Sequence, residues 1–391
     1  MEVKLLPVLS TIMFFAFIGG DCIYADQTPL LNQILVVMQA LSFLVTIIWW
    51  VKKKVFSKFD VWLFAFFSIL LIVTLVREGY VYSLLTRWMR IFGCVFLAEI
   101  LIKQNKAYLF SSLSIVYSAL VYLGCVCLLL YPDGMFYVRI NNYVTLPYSI
   151  LGNGNSYGIV LIPAIVINSI YASTCGRKYT INLVLLMLCS AIILLKVWSA
   201  TSIVSFALLL GYYFFVYKTR FASYVTSKRL LAIYILFFLG IVAFQIQSSF
   251  SFLIEDVLKK DFTFSSRTVI WDLALVKIKN SFLLGYGEVF HGLYIDVFGG
   301  RNAHNIILHI LLQGGIIAFG IFFSLLYIVL SRLNKNKKFH LSNWLSVSIF
   351  VMFVLMTTEV YSLLSLFLMF LFAFYIEKFR YNRSFNICVW A

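Results

Sequence analysis

Twelve apolar segments separated by short polar connections most constrain what this chain can fold into. Each segment is long enough, or nearly so, to cross the roughly 30 Å hydrocarbon core of a bilayer. Of the 391 residues, 63% are hydrophobic and only 12% are charged, a balance that excludes a soluble domain. The sequence therefore predicts an all-α polytopic membrane protein of about twelve transmembrane helices, forming a single integral membrane domain. The predicted spans are 5–20, 31–51, 61–76, 91–102, 107–131, 157–172, 181–195, 203–217, 230–246, 304–330, 341–356 and 361–376.

The formal charge of +16 has a membrane explanation. Most Lys and Arg residues fall in alternate connections between the spans, for example at 52–54, 218–229 and 332–338. Cytoplasmic loops of membrane proteins collect such residues. The alternation predicts that both termini are cytoplasmic, and it favours membrane lipids rather than a nucleic acid as the surroundings of these charges.

The connection 247–302 is by far the longest and is predicted to be external. It is patterned: Ser265 and Ser266 can cap a helix that begins near Arg267. Trp271, Ala274 and Ile278 would share one face of that helix with Arg267. The segment 280–287, NSFLLGYG, would end the helix and turn. We expect a partly helical, structured external cap.

Six arginines are predicted to lie near the membrane on the outer side, against the usual charge distribution. Guanidinium groups suit two-pronged contacts with phosphate oxygens, so such a set could bind a lipid-linked diphosphate. For the first four in sequence, a merely solvated or headgroup-paired charge is an equal alternative. The six are Arg77, Arg87, Arg90, Arg139, Arg267 and Arg301.

His304 is the candidate general base, because imidazole titrates near neutrality and can accept a proton from a sugar hydroxyl. Asn305 beside it is a candidate substrate ligand. Glu359, in the short outer turn before the last span, could orient His304 or an arginine, act as the base itself, or be a simple turn carboxylate. Glu99 falls inside the fourth span and needs a partner, such as a neighbouring arginine.

Helical spacing from His304 would place Leu308, Leu311, Gly315 and Ala318 on one stripe. The small residues at 315 and 318 would let another helix approach closely. His304 is accordingly predicted to face the bundle interior.

Three motifs that bind nucleotides or metals do not occur in the sequence: GxxxxGK[ST], HExxH and an Asp-x-Asp pair on either face. The sequence therefore predicts neither a cofactor nor a metal, and it disfavours a soluble nucleotide-sugar donor. A transferase acting outside the cytoplasm would draw its energy from a lipid-diphosphate leaving group.

Three stretches together resemble the bacterial O-antigen polymerase and O-antigen ligase superfamily. HNIILHILLQGGIIA has the His-Asn pair, spaced leucines and glycine of the family pattern, with Ala318 where a second glycine often stands. SSRTVIWDLALVKIKNSFLLGYG is similar to the family's Arg…Trp…Gly-x-Gly segment. LGNGNSYGIVL looks like the segment that opens a middle span with an asparagine, here Asn155, without the proline often found before it.

The resemblance implies an inverting, metal-independent glycosyl transfer from a glycan on undecaprenyl diphosphate, at the outer face of the bacterial inner membrane. Arg267 and Arg301 would neutralise the leaving diphosphate, and His304 would deprotonate the acceptor. It also implies a chain-length regulator and a flippase as partners. We favour a polymerase of O-antigen or capsular polysaccharide; a ligase to lipid A–core stays open. A flippase is disfavoured, since the two halves of the sequence do not resemble each other.

Overall fold

The computed structural model describes residues 5–139, 145–175, 177–244, 267–288 and 302–380. These ranges are predominantly helical, with one two-stranded antiparallel sheet that pairs Phe136 with Tyr148 and Arg139 with Thr145. The helices and strands are α1 Leu5–Cys22, α2 Pro29–Lys52, α3 Lys58–Val76, α4 Val81–Gln104, α5 Lys106–Leu130, β1 Phe136–Arg139, β2 Thr145–Tyr148, α6 Gly158–Cys175, α7 Arg177–Val197, α8 Ala200–Phe215, α9 Ser227–Phe238, α10 Arg267–Asn280, α11 Ile306–Lys335, α12 His340–Leu355, α13 Leu364–Phe374 and α14 Ile376–Arg380.

Each of the twelve predicted apolar segments overlaps at least one of these helices, and an all-α polytopic membrane protein is confirmed. Within the described ranges, seven helices are both long and apolar enough to cross a membrane: α1, α2, α3, α5, α6 with the turn before it, α7 and α11. Three shorter apolar helices, α8, α12 and α13, accompany them. The total of twelve spans, and the side on which each connection lies, remain predictions.

The chain divides into two compact units. Unit 1 comprises residues 1–56, 89–215 and 362–391, in which α5 packs against α1, α6 and α7. Polar side chains tie these helices together: the Asn168 Oδ1 atom accepts from Ser114 at 2.6 Å and from Asn182 at 3.0 Å. Such interhelical hydrogen bonds are typical of helices that meet in lipid.

Unit 1 also holds Glu99, which is fully buried in α4. The prediction that a neighbouring arginine pairs with Glu99 is wrong. The Lys103 Nζ atom lies 3.5 Å from the carboxylate, the Trp50 indole donates to it at 3.4 Å, and the Tyr375 hydroxyl donates to it as well. Lys103 can pair with Glu99 because it lies one helical turn further along the same face of α4.

Unit 2 comprises residues 57–88 and 216–361. Its core forms where α11 packs against α3, with α9 packed on α12 and α10 on α11. The predicted face of α10 is confirmed: Trp271, Ala274 and Ile278 are buried against Leu308 and Leu312 of α11. Packing against α11 thus fixes the direction in which the first residue of α10 points.

The stripe predicted along α11 is interrupted. Gly315 has φ 61° and ψ −162°, so the helix kinks there, and the close neighbour is the turn 281–287 instead of another helix. Backbone N–H groups of Tyr286 and Gly287 donate to the carbonyls of Leu312 and Gln313 at 2.7 and 2.8 Å. The turn therefore satisfies carbonyls that the kink leaves without helical donors. The predicted end of α10 at Asn280 and the turn after it are confirmed.

Candidate active site

Arg267, Glu359 and His304 form one ion-paired cluster within unit 2. The Arg267 guanidinium donates from Nη2 to the Glu359 Oε1 atom. The other carboxylate oxygen, Oε2, lies 2.9 Å from the His304 Nδ1 atom. All three side chains are largely buried, with 13%, 11% and 19% of their surfaces exposed. The structure thus brings together the three residues predicted from the sequence as catalytic.

His304 lies just before α11, not inside it as the predicted span 304–330 implied. Its φ of 45° is in the left-handed region, which is uncommon for a residue other than glycine. Its backbone N–H donates to the Asn302 side chain at 2.8 Å. A non-glycine residue in this conformation persists only where its surroundings hold it, and such positions cluster at functional sites.

Asn305 acts as the N-cap of α11. Its side-chain oxygen accepts from the N–H groups of Ile307 and Leu308 at 2.9 and 3.1 Å, as expected at an N-cap. Its amide nitrogen donates to the Thr357 carbonyl at 2.9 Å, two residues from Glu359. The fully buried Asn305 side chain is therefore engaged in joining the start of α11 to the turn that carries Glu359.

Glu359 is ionised in this environment. Burial raises its pKa, but the hydrogen bond to His304 and the positive charges of His304 and Arg267 outweigh that effect and leave the pKa below its usual range. An ionised carboxylate only accepts hydrogen bonds, so the Nδ1 atom of His304 must carry the proton. In the unprotonated form of the imidazole, Nε2 is then the atom whose lone pair can accept a proton.

Arg267 retains capacity to bind a ligand. Its Nε atom is buried and has no hydrogen-bond partner among the described residues. The indole nitrogen of Trp271, one turn further along α10, is also buried and has no hydrogen-bond partner among the described residues. Buried donors normally have acceptors, so an anion or a water at this face of α10 would satisfy them.

A second carboxylate cluster in unit 2 surrounds Glu288. Arg87 binds it with two prongs, Nη2 to Oε1 at 2.7 Å and Nη1 to Oε2 at 3.2 Å. Gln313 of α11 donates to Oε2 at 2.6 Å, and Ser83 donates to Oε1 at 3.4 Å. The sequence patterns single out neither Glu288 nor Gln313, although Glu288 directly follows the Gly-Tyr-Gly turn and could pair with an arginine near the membrane.

The remaining predicted residues lie apart from the His304 cluster or outside the described structure. Arg77 donates to Ser281 at 3.0 Å and is 5.8 Å from the Tyr286 ring centroid. Arg90 belongs to unit 1, where it donates to the Gly20 carbonyl and lies 3.7 Å from Asp21.

Asn155, also in unit 1, accepts a hydrogen bond from Ser199 at 3.4 Å. The backbone of Arg139 ends β1, but its side chain lies outside the described structure, as does all of Arg301. The proposed caps Ser265 and Ser266 also lie outside the described residues.

Comparison with known proteins finds a family model that matches part of the chain. Residues 184–323 match the family model described as O-antigen ligase. This match supports the chain's place in the O-antigen ligase and polymerase superfamily. A search of curated proteins finds no match to the chain.

The matched segment includes Arg267 and His304 and stops before Glu359. It indicates a ligase- or polymerase-type function, that of a glycosyltransferase-like enzyme. Among the described residues, no group of three or more His, Cys, Asp or Glu side chains could hold a metal ion.

Proposed function

We propose that this protein polymerises undecaprenyl-diphosphate-linked oligosaccharide repeat units into a surface polysaccharide, O-antigen or capsule, at the outer face of the bacterial inner membrane. The observation that supports this best is the Glu359 carboxylate that joins a phosphate-binding residue type, Arg267, to a base, His304. A transfer from a lipid diphosphate needs both functions: a cation for the leaving group and a base for the acceptor.

In the proposed reaction, the acceptor hydroxyl of one repeat unit attacks the anomeric carbon of another. The bond between that carbon and the diphosphate oxygen breaks, and its electron pair leaves with the diphosphate. Arg267, with an Nε donor to spare, stabilises the developing charge. The hydroxyl proton moves to the Nε2 atom of His304, whose Nδ1–H is held by Glu359. Attack from the face opposite the leaving group inverts the anomeric configuration.

A ligase that transfers the glycan to lipid A–core is the second candidate, because the matching family model is described as O-antigen ligase. The same cluster would serve, since the two reactions share donor chemistry and differ in the acceptor.

Reconstitution separates these functions. The purified protein is placed in liposomes with a lipid-diphosphate-linked repeat unit as the only glycan, and longer glycans and released lipid diphosphate are measured. A ladder that disappears in His304→Ala supports the polymerase. Transfer only after lipid A–core is added would support the ligase, and glycan crossing the bilayer without either product would contradict both. The Lys335→Gln variant, at the opposite end of α11, is a matched control that should behave like the unaltered protein.

A further inference from the structure

Glu359 is placed to do more than orient the imidazole of His304. A backbone carbonyl could hold Nδ1–H, as it does in many proteins. Here the partner is a carboxylate whose second oxygen is engaged by Arg267, the residue proposed to receive the diphosphate. One negative charge is therefore shared between two cationic partners that serve opposite ends of the proposed reaction.

We propose that Glu359 couples occupancy of Arg267 to the basicity of His304, so that binding of the lipid diphosphate strengthens the base before the acceptor is attacked. This inference rests on the proposed function and adds an order to it, with the donor bound first. Glu359 is a positioning residue in this scheme, because it acts through Arg267 and His304 without touching the reacting atoms.

The direction of the coupling follows from charge. When Arg267 turns toward a diphosphate, Glu359 loses part of its compensating positive charge. The carboxylate then stabilises the protonated form of His304 more strongly, which raises the proton affinity of the imidazole. A base whose pKa rises toward the working pH accepts a proton more readily in the transition state. Before the donor binds, Arg267 keeps His304 a weaker base, which limits activation of the acceptor without a donor.

The surroundings of the cluster support assigning this coupling to Glu359. The segment that carries His304 contributes the neutral amides of Asn302 and Asn305, both hydrogen-bonded to backbone. The turn with Glu359 also holds Tyr361, and α10 contributes Arg267 and, on its exposed side, Asp272. Arg267 and His304 are the cationic residues paired with this carboxylate in the described structure.

The test is a double-mutant cycle on the protonation of His304 in ligand-free protein. The chain has four histidines, so ¹⁵N-histidine spectra of the purified protein can be assigned with His304→Gln. The proteins compared are the unaltered chain, Arg267→Gln, Glu359→Gln and the double variant. Arg267→Gln is expected to raise the proton affinity of His304 about tenfold, and clearly less where Glu359 is already Gln. The Lys335→Gln control should leave it unchanged.

Equal effects of Arg267→Gln with and without Glu359 would overturn the coupling. A second titration adds a polyprenyl diphosphate, with a neutral polyprenol as the matched ligand. The diphosphate is expected to raise the proton affinity of His304 more in the unaltered protein than in Glu359→Gln, and equal increases would again overturn the inference. The two claims can fail separately. If the cycle shows coupling but the liposomes yield no product, the proposed function is contradicted and the coupling is not.

Discussion

Unit 2 contains two buried carboxylates that both pair with arginine, and they differ in how the charge is used. The Glu288 carboxylate receives both prongs of Arg87 and is further bound by Gln313 and Ser83. The Glu359 carboxylate divides its oxygens between Arg267 and His304, and the Arg267 Nε atom lacks a partner among the described residues. The first arrangement fixes a structure, whereas the second leaves cationic groups able to exchange partners.

The surroundings of the two carboxylates agree with a structural role for Glu288 and a reactive role for Glu359. Glu288 closes the turn 281–288: its backbone N–H donates to the Thr74 hydroxyl at 2.9 Å, and its carbonyl accepts from the Tyr80 N–H at 2.7 Å. Glu359 contacts a histidine held at positive φ, a conformation that costs free energy. An arginine–glutamate pair therefore points to a reactive site only where neighbouring groups can still bind a ligand or accept a proton.

His304→Gln should produce the largest effect. The variant removes the base but keeps a side chain that can hydrogen-bond to Glu359, so transfer should fall about 10²–10⁴-fold while the melting temperature changes little. The measurement is the rate at which free lipid diphosphate is released in liposomes. A variant that retains half of the activity would show that His304 is not the base.

A comparison of Arg267→Lys with Arg87→Lys tests directly whether the Glu359 carboxylate serves the reaction and the Glu288 carboxylate serves the structure. Lysine keeps the charge but cannot form a fork. At position 267 we expect a transfer rate lower by about tenfold to a hundredfold with little change in stability. At position 87 we expect a lower melting temperature, because two charge-assisted hydrogen bonds become one. The reverse pattern would exchange the roles assigned to the two carboxylates.

Gly315→Ala should destabilise the region that Glu288 holds. The residue has φ 61°, and a Cβ atom there would collide with the Leu283 carbonyl oxygen. We expect a loss of about 3 kcal/mol in the free energy of unfolding, from backbone strain and forced displacement of the turn. Gly320→Ala is the matched control on the same helix, since a Cβ atom there meets no atom within 4 Å. Equal melting temperatures for the two variants would contradict the importance of the kink.

The sequence predicted the helices well because their apolar segments must be long to cross lipid. It also predicted the buried face of α10, the turn after Asn280 and the identity of the clustered residues Arg267, His304 and Glu359. The kink at Gly315 was not predictable from spacing, since its cause is a turn contributed by a distant part of the chain. Arg87 and Arg90 look alike in the sequence, and only tertiary structure assigns one to Glu288 and the other to Asp21.

Glu288→Gln should lower the free energy of unfolding by less than Gly315→Ala does. It leaves Arg87 without its carboxylate, but the Arg87 side chain keeps 33% of its surface exposed, so water recovers part of the lost interaction. We expect a loss of about 2 kcal/mol in the free energy of unfolding, measured as a lower melting temperature, with transfer per folded molecule nearly unchanged. A large fall in transfer at unchanged stability would instead place Glu288 in the active site.

The pH dependence of stability gives the smallest expected effect. The folded-state pKa of Glu359 lies below its unfolded value of about 4.3, so its ionisation stabilises the folded protein above that pH. This contribution should be lost as the pH falls from about 4.3 through the folded-state pKa. Glu359→Gln should therefore flatten the dependence of the melting temperature on pH in this acidic window. An unchanged slope in Glu359→Gln would mean that the pairing with Arg267 and His304 contributes nothing to stability. The shared carboxylate would then act in the reaction alone.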